Sequence, residues 1–291
     1  MNISPDTAPS ASLRTSGTIV VGVDDTATSD RALAWAADQA ALEHRGLTVL
    51  HATGVVPSGR GAADTSLRSG GHQVTRRAHR VLLDGAFGAD VHEQAVPAAP
   101  VAALVDASAG AALVVVGSRG PGQLGTFVLG SVSRALVGRT LCPLVVVPDQ
   151  QPDRPDATGG VVVAVDDREG RRDTLDFAYR QAALRGLPLT ILGCVLGSAS
   201  ESADEQKRRI SEASAGFADR YPDVVTTIDV DRGRIEEAVV RAGRGQALLV
   251  MGSHVHSWIS RVVRGDAERQ VVTHAPCPVA VVPSGTPDPA S

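Results

Sequence analysis

The chain has 291 residues, enough for two domains, and its 43% hydrophobic and 21% charged content excludes a fibrous or wholly disordered polymer. A formal net charge of -4 gives no general attraction for polyanions, so sequence-independent nucleic-acid binding is not expected. No apolar run approaches the roughly 18 residues of a membrane span and the opening residues lack the apolar core of a signal peptide, so a cytoplasmic, membrane-free protein is expected.

Residues 1–16 are polar and aperiodic, the signature of a disordered tail. After them, β-branched apolar runs alternate with segments of helical period, the pattern of βαβ units in a parallel sheet covered on both faces. The first expected strand is 19–23, followed by a helix that Ser29 can cap and that carries Leu33, Ala36, Ala37 and Ala40 on one face. A second strand, 47–52, leads through a Gly- and Ser-rich loop at 59–71 to a helix marked by Val74, Ala78, Val81 and Leu82. The third strand is 91–96, and Pro100 suits the first turn of the helix after it. Strand 113–116, a helix starting near Ser131 and strand 144–147 complete the unit. All the apolar stripes are assigned to core packing. The polar, Pro-rich stretch 150–158 is a linker.

From residue 159 the pattern is written again. IVVGVDD at 19–25 returns as VVVAVDD at 161–167, an offset of 142. ALVVVGS ending at Ser118 returns as ALLVMGS ending at Ser253, and CPLVVVP from Cys142 returns as CPVAVVP from Cys277, both at an offset of 135. Seven residues are therefore missing between the second and fourth strands of the second copy, with loop 59–71 as their natural counterpart. The expected architecture is α/β: two doubly wound five-stranded parallel sheets of strand order 3-2-1-4-5, spanning 17–149 and 159–284, with a second disordered tail at 285–291.

The segment after the fourth strand carries the chemistry. Gly117-Ser118-Arg119-Gly120, nine further residues, and Gly130-Ser131-Val132-Ser133 at a helix start form a phosphate cradle: glycines admit a close ligand, N–H groups and the helix dipole attract an anion, and Ser131 and Ser133 add hydroxyls. A Gly-rich turn that merely joins strand to helix accounts for the spacing equally well. GTFVLGS at 125–131 has P-loop glycine spacing, but Ser131 stands where the lysine belongs; GPGQLG at 120–125 fits a dinucleotide fingerprint but follows the fourth strand, not the first. In a 3-2-1-4-5 sheet the crevice lies between strands one and four, which sets Asp24 opposite Gly117. A turn-forming or capping role is the alternative for Asp24. His51 ends the second strand beside that crevice, either packed or a base. His254 and His256 are expected to be loop residues rather than metal ligands, and no nucleophile with a matched base stands out. Cys142, Cys194 and Cys277 are too dispersed for a disulfide framework and suit buried apolar positions.

VGVDDT after the first strand, LHA at 50–52, GSRG, the nine-residue spacer, GSVSRALV and CPLVVVP occur together and in this order, and on them the chain resembles the universal stress protein family over nearly its whole length, in both repeats. The resemblance implies ATP binding with Mg²⁺. Asp24 and Ala52 would contact the adenosine portion and Gly117, Gly120, Gly130 and Ser131 the phosphates, with Arg119, Val132 and Ser133 in the same motif. Ala52 departs mildly from the larger apolar residue common in the family. In the second copy Gly252 and Gly265 remain, but Val255 replaces the middle glycine and Asp266 the serine, so that site is expected to be lost or repurposed although Asp166 matches Asp24. The expected function is nucleotide-dependent stress or signalling regulation with at most slow hydrolysis or self-phosphorylation; the alternative is a non-catalytic pairing and partner-binding module with vestigial sites. An intrachain pseudo-dimer through strands 144–147 and 279–282 is expected, with a homodimer and an unidentified protein partner as further associations.

Overall fold

A computed structural model of the chain describes residues 15–54, 73–78, 80, 82, 90–118, 130–149, 159–165, 171–194, 202–231, 235–253 and 267–285. The first half runs β1 (Ile19–Gly22), α1 (Ala27–Glu43), β2 (Leu47–Ala52), a helical segment at 73–78, β3 (Val91–Val96), α2 (Pro100–Ser108), β4 (Leu113–Gly117), α3 (Ser131–Leu136) and β5 (Leu144–Val147). The second repeats it as β6 (Val161–Val165), α4 (Arg171–Arg185), β7 (Leu189–Cys194), α5 (Ala203–Arg220), β8 (Thr226–Asp231), α6 (Ile235–Ala242), β9 (Leu248–Gly252), α7 (Ala267–His274) and β10 (Val279–Val282). The connection from Cys194 to Thr226 is seven residues shorter than that from Ala52 to Val91, which puts the deletion between the second and third strands. Loop 59–71 itself lies outside the described residues.

The strands form one ten-stranded sheet in the order β3-β2-β1-β4-β5-β10-β9-β6-β7-β8. Each half is thus a parallel 3-2-1-4-5 unit. The halves join through β5 and β10, the antiparallel pair of the sheet, with Val279 opposite Val146 and Val281 opposite Leu144. Continuous Val/Ile/Leu runs make this possible, because every strand near the centre is covered on both faces. Ile19, Val21, Val145 and Val163 pack under α1, α4 and α5; Val20, Val114, Val146 and Val162 pack under α2, α3, α6 and α7.

One local expectation is corrected. Ser29 does not cap α1: Thr26 does, in extended conformation, accepting the N–H of Ser29 at 3.3 Å. Ser29 is buried one turn in, where its hydroxyl accepts the backbone N–H of Asp24 at 3.0 Å. Both residues are cap types; the strand ends at Gly22, which leaves room for a cap three residues earlier. Pro100 occupies the first turn of α2 and Ser131 opens α3, as the sequence predicts.

Candidate functional site

β1 and β4 are neighbours, yet the chain leaving β1 enters α1 on one face of the sheet and the chain leaving β4 reaches α3 on the other. Opposite departures open a crevice at the carboxyl ends of the two strands. A cavity of about 350 Å³ lies there, within the range of small-molecule sites. Gly22, Val23, Leu50, Leu104 and Val116 give it an apolar floor, and Asp24, His51, Ala52, Thr53, Gly117, Gly130, Ser131, Val132 and Ser133 line the rest. Seven of the nine residues expected from sequence therefore share one cavity. Arg119 and Gly120 lie outside the described residues.

Each polar group on the rim is held by local structure. The Thr26 hydroxyl donates to Asp24 Oδ1 while accepting the helix N–H, so one side chain caps α1 and aims the carboxylate. His51 Nδ1 lies 2.8 Å from the carbonyl oxygen of Val23. A carbonyl only accepts, so Nδ1 carries the hydrogen. Asp25, by contrast, is exposed and ion-paired with Arg77, away from the cavity lining.

On the side of β4 and α3 the backbone joins the two ends of the connecting segment. Gly130 N–H donates to the carbonyl of Ser118 at 2.6 Å, bringing together the two ends of segment 119–129. Ser133 differs from the role expected of it. Its buried hydroxyl is directed at the carbonyls of Ser118, at 3.1 Å, and Gly130, at 3.2 Å, so it fastens the loop instead of offering a donor to a ligand. Ser131 is exposed at the first position of α3, whose Gly130 cap supplies no side chain to compete for the helix N–H groups.

Sequence reasoning missed Thr53. The residue lines the cavity, and its Oγ1 is buried with no hydrogen-bond partner among the described residues, a state that costs roughly 1–3 kcal/mol. Its position one residue after LHA was the available signal. Among the described residues no cluster of three or more His, Cys, Asp or Glu is placed to hold a metal ion. A larger cleft of about 850 Å³ lies between the halves; of the four arginines that line it, Arg45 and Arg180 pair with Glu43 and Arg220 with Asp176, the fourth being Arg172. In the second half Gly252 ends β9 at the position of Gly117. Asp166, Val255, Gly265 and Asp266, with His254 and His256, lie outside the described residues.

The sequence profile of the universal stress protein family matches residues 15–148 and again 159–283. A universal stress protein of Mycolicibacterium smegmatis is 30% identical over 282 residues, covering 91% of this chain and 96% of that one. One from Mycobacterium tuberculosis is 30% identical over 286 residues, covering 90% and 96%. The crystal structure of a universal stress protein from Archaeoglobus fulgidus superposes with a TM-score of 0.72 at 18% identity, over 94% of this chain and 98% of that one, which supports the fold. No described helix is long and apolar enough to cross a membrane.

Proposed function

We propose an adenine-nucleotide-binding, regulatory function for this chain, which belongs to the universal stress protein family in both of its halves. The observation that carries it is a cavity in the first half, where Asp24, Ala52, Gly117, Gly130, Ser131 and Val132 converge at the switch point of the sheet. The residues fit such a ligand. An apolar floor suits a base, a half-buried carboxylate held by Thr26 suits base or ribose donors, and glycines beside the uncapped start of α3 suit phosphate oxygens.

We assign ATP as the nucleotide and Mg²⁺ as a companion carried by the phosphates, on the strength of the motif order that the chain shares with its family. Any turnover would be slow, since Asp24 is held by Thr26 and His51 is anchored to Val23. Output would then come from binding, through a change of partner or of oligomeric state. Mass spectrometry of the small molecules released on denaturing the purified chain, with calorimetric titration of ATP, AMP and GTP in Mg²⁺, tests this. Retained or titratable adenine nucleotide is expected; absence of both would sink the assignment and leave a pairing module with vestigial sites.

A further inference from the structure

The junction between the halves is polar at its centre. Where α1 and α4 meet beneath the β5–β10 pair, the two helices present aligned segments: DQAALE at 38–43 and RQAALR at 180–185. Four residues are identical and both charges are reversed. Gln39 and Gln181, equivalent in the repeat, are each completely buried. Arg185 donates to Oε1 of both glutamines, and both glutamines donate through Nε2 to Oε1 of Glu43, Gln181 at 3.1 Å. The result is a closed ring with a cation at one pole and a carboxylate at the other. Glu43 Oε2 also accepts from Arg180 across the junction at 3.3 Å and from Arg45 at 3.1 Å, and its side chain is only 4% exposed.

The ring has no symmetric version. Two first halves joined through the same faces would set Glu43 and Asp38 of one against Asp38 and Glu43 of the other; two second halves would oppose Arg180 and Arg185 to themselves. Buried like charges are strongly unfavourable, and charge placement of this kind discriminates between partners more than it adds affinity. Amide polarity reinforces the choice, because the glutamines need an acceptor on one side and a donor on the other. We propose that the charge reversal between residues 38–43 and 180–185 is a recognition code: the junction face of the first half accepts the second half and rejects another copy of itself.

Glutamate and glutamine have nearly the same shape, so they separate charge from packing at position 185. Trp35, on whose ring Arg185 sits at 5.7 Å, is a native reporter of the junction, and Trp258→Phe removes the other tryptophan of the full-length chain. In that background Arg185→Glu should open the junction more than Arg185→Gln, seen as red-shifted Trp35 emission and a larger acrylamide quenching constant. In a chain that also carries Asp38→Asn and Glu43→Gln, the difference between the two substitutions should vanish. Should Arg185→Glu fail to fold with Asp38 and Glu43 present yet fold with them neutralised, the code is supported equally. Equal behaviour of Glu and Gln with the acidic residues present, a difference that survives their neutralisation, or failure of Arg185→Glu to fold in both backgrounds would overturn it.

Discussion

Gly117 is a position where ligand and fold make competing demands on one backbone atom. A Cβ built there would lie 2.7 Å from Thr28 Cγ2 and 3.0 Å from the Thr28 carbonyl oxygen, so it would strike the first turn of α1 rather than project into open cavity. Gly117→Ala should therefore destabilise by about 1–3 kcal/mol, because helix backbone cannot yield as a side chain can. Urea unfolding measures this, and a midpoint equal to wild type would show that α1 shifts freely. The cysteines make a separate prediction. Cys142 and Cys277 are 4% and 3% exposed, and burial pushes both thiols up to about 12 against partial relief from the backbone of Val114 and Leu249 respectively. The unfolded chain releases these protons near the ordinary value of 9.0, so the stabilisation is full below that pH and is lost as pH rises from there toward about 12. Urea midpoints should fall over this window in the wild type and fall less in a Cys142→Val/Cys277→Val chain; parallel curves would remove the thiols as the cause.

At the level of elements, the start of α1 couples helix stability to the site through Thr26. Thr26→Ala removes the acceptor for Ser29 N–H and the donor to Asp24, so it should cost about 1 kcal/mol of stability and weaken nucleotide binding together, while Thr26→Ser keeps both. Calorimetry and urea unfolding on the two variants check this; loss of stability with unchanged affinity would separate cap from carboxylate. That coupling also indicates what the sequence could convey. Strand 144–147 was legible to the residue because a strand covered on both faces is an uninterrupted apolar run; 47–52 and the half-buried edge strand 91–96 were legible from the turn signals that bound them. The cap was not, since Thr26 and Ser29 are equally good candidates and only the end of β1 decides between them. Seven cavity residues were legible because motif order survives in one dimension. Thr53 and the binding of Ser133 to Ser118 were not, because both depend on which way a hydroxyl faces once the loop ends meet. The DQAALE/RQAALR reversal was present in the sequence, but its meaning required α1 and α4 to be neighbours.

For the whole molecule, the antiparallel β5–β10 pair determines how two sites could relate. β4 and β5 are parallel, as are β9 and β10, so the carboxyl ends of β4 and β9 point in opposite directions and the two crevices open at opposite edges of the sheet. Among the described residues the first crevice is lined by the first half alone. The repeat sets the expectation for the second site: where the first copy has Gly120 and Ser131, the second has Val255 and Asp266. A valine side chain occupies space that glycine leaves to phosphate, and a carboxylate at a helix start takes the N–H groups and dipole that an anionic ligand needs. The chain should therefore bind one ATP. Calorimetric titration of the full-length protein should give a stoichiometry near one, Ser131→Asp should abolish binding, and Val255→Gly with Asp266→Ser should raise the stoichiometry toward two while leaving the first affinity unchanged. Two equal sites in the wild type, or binding that persists in Ser131→Asp, would mean that the second half carries nucleotide despite its altered loop.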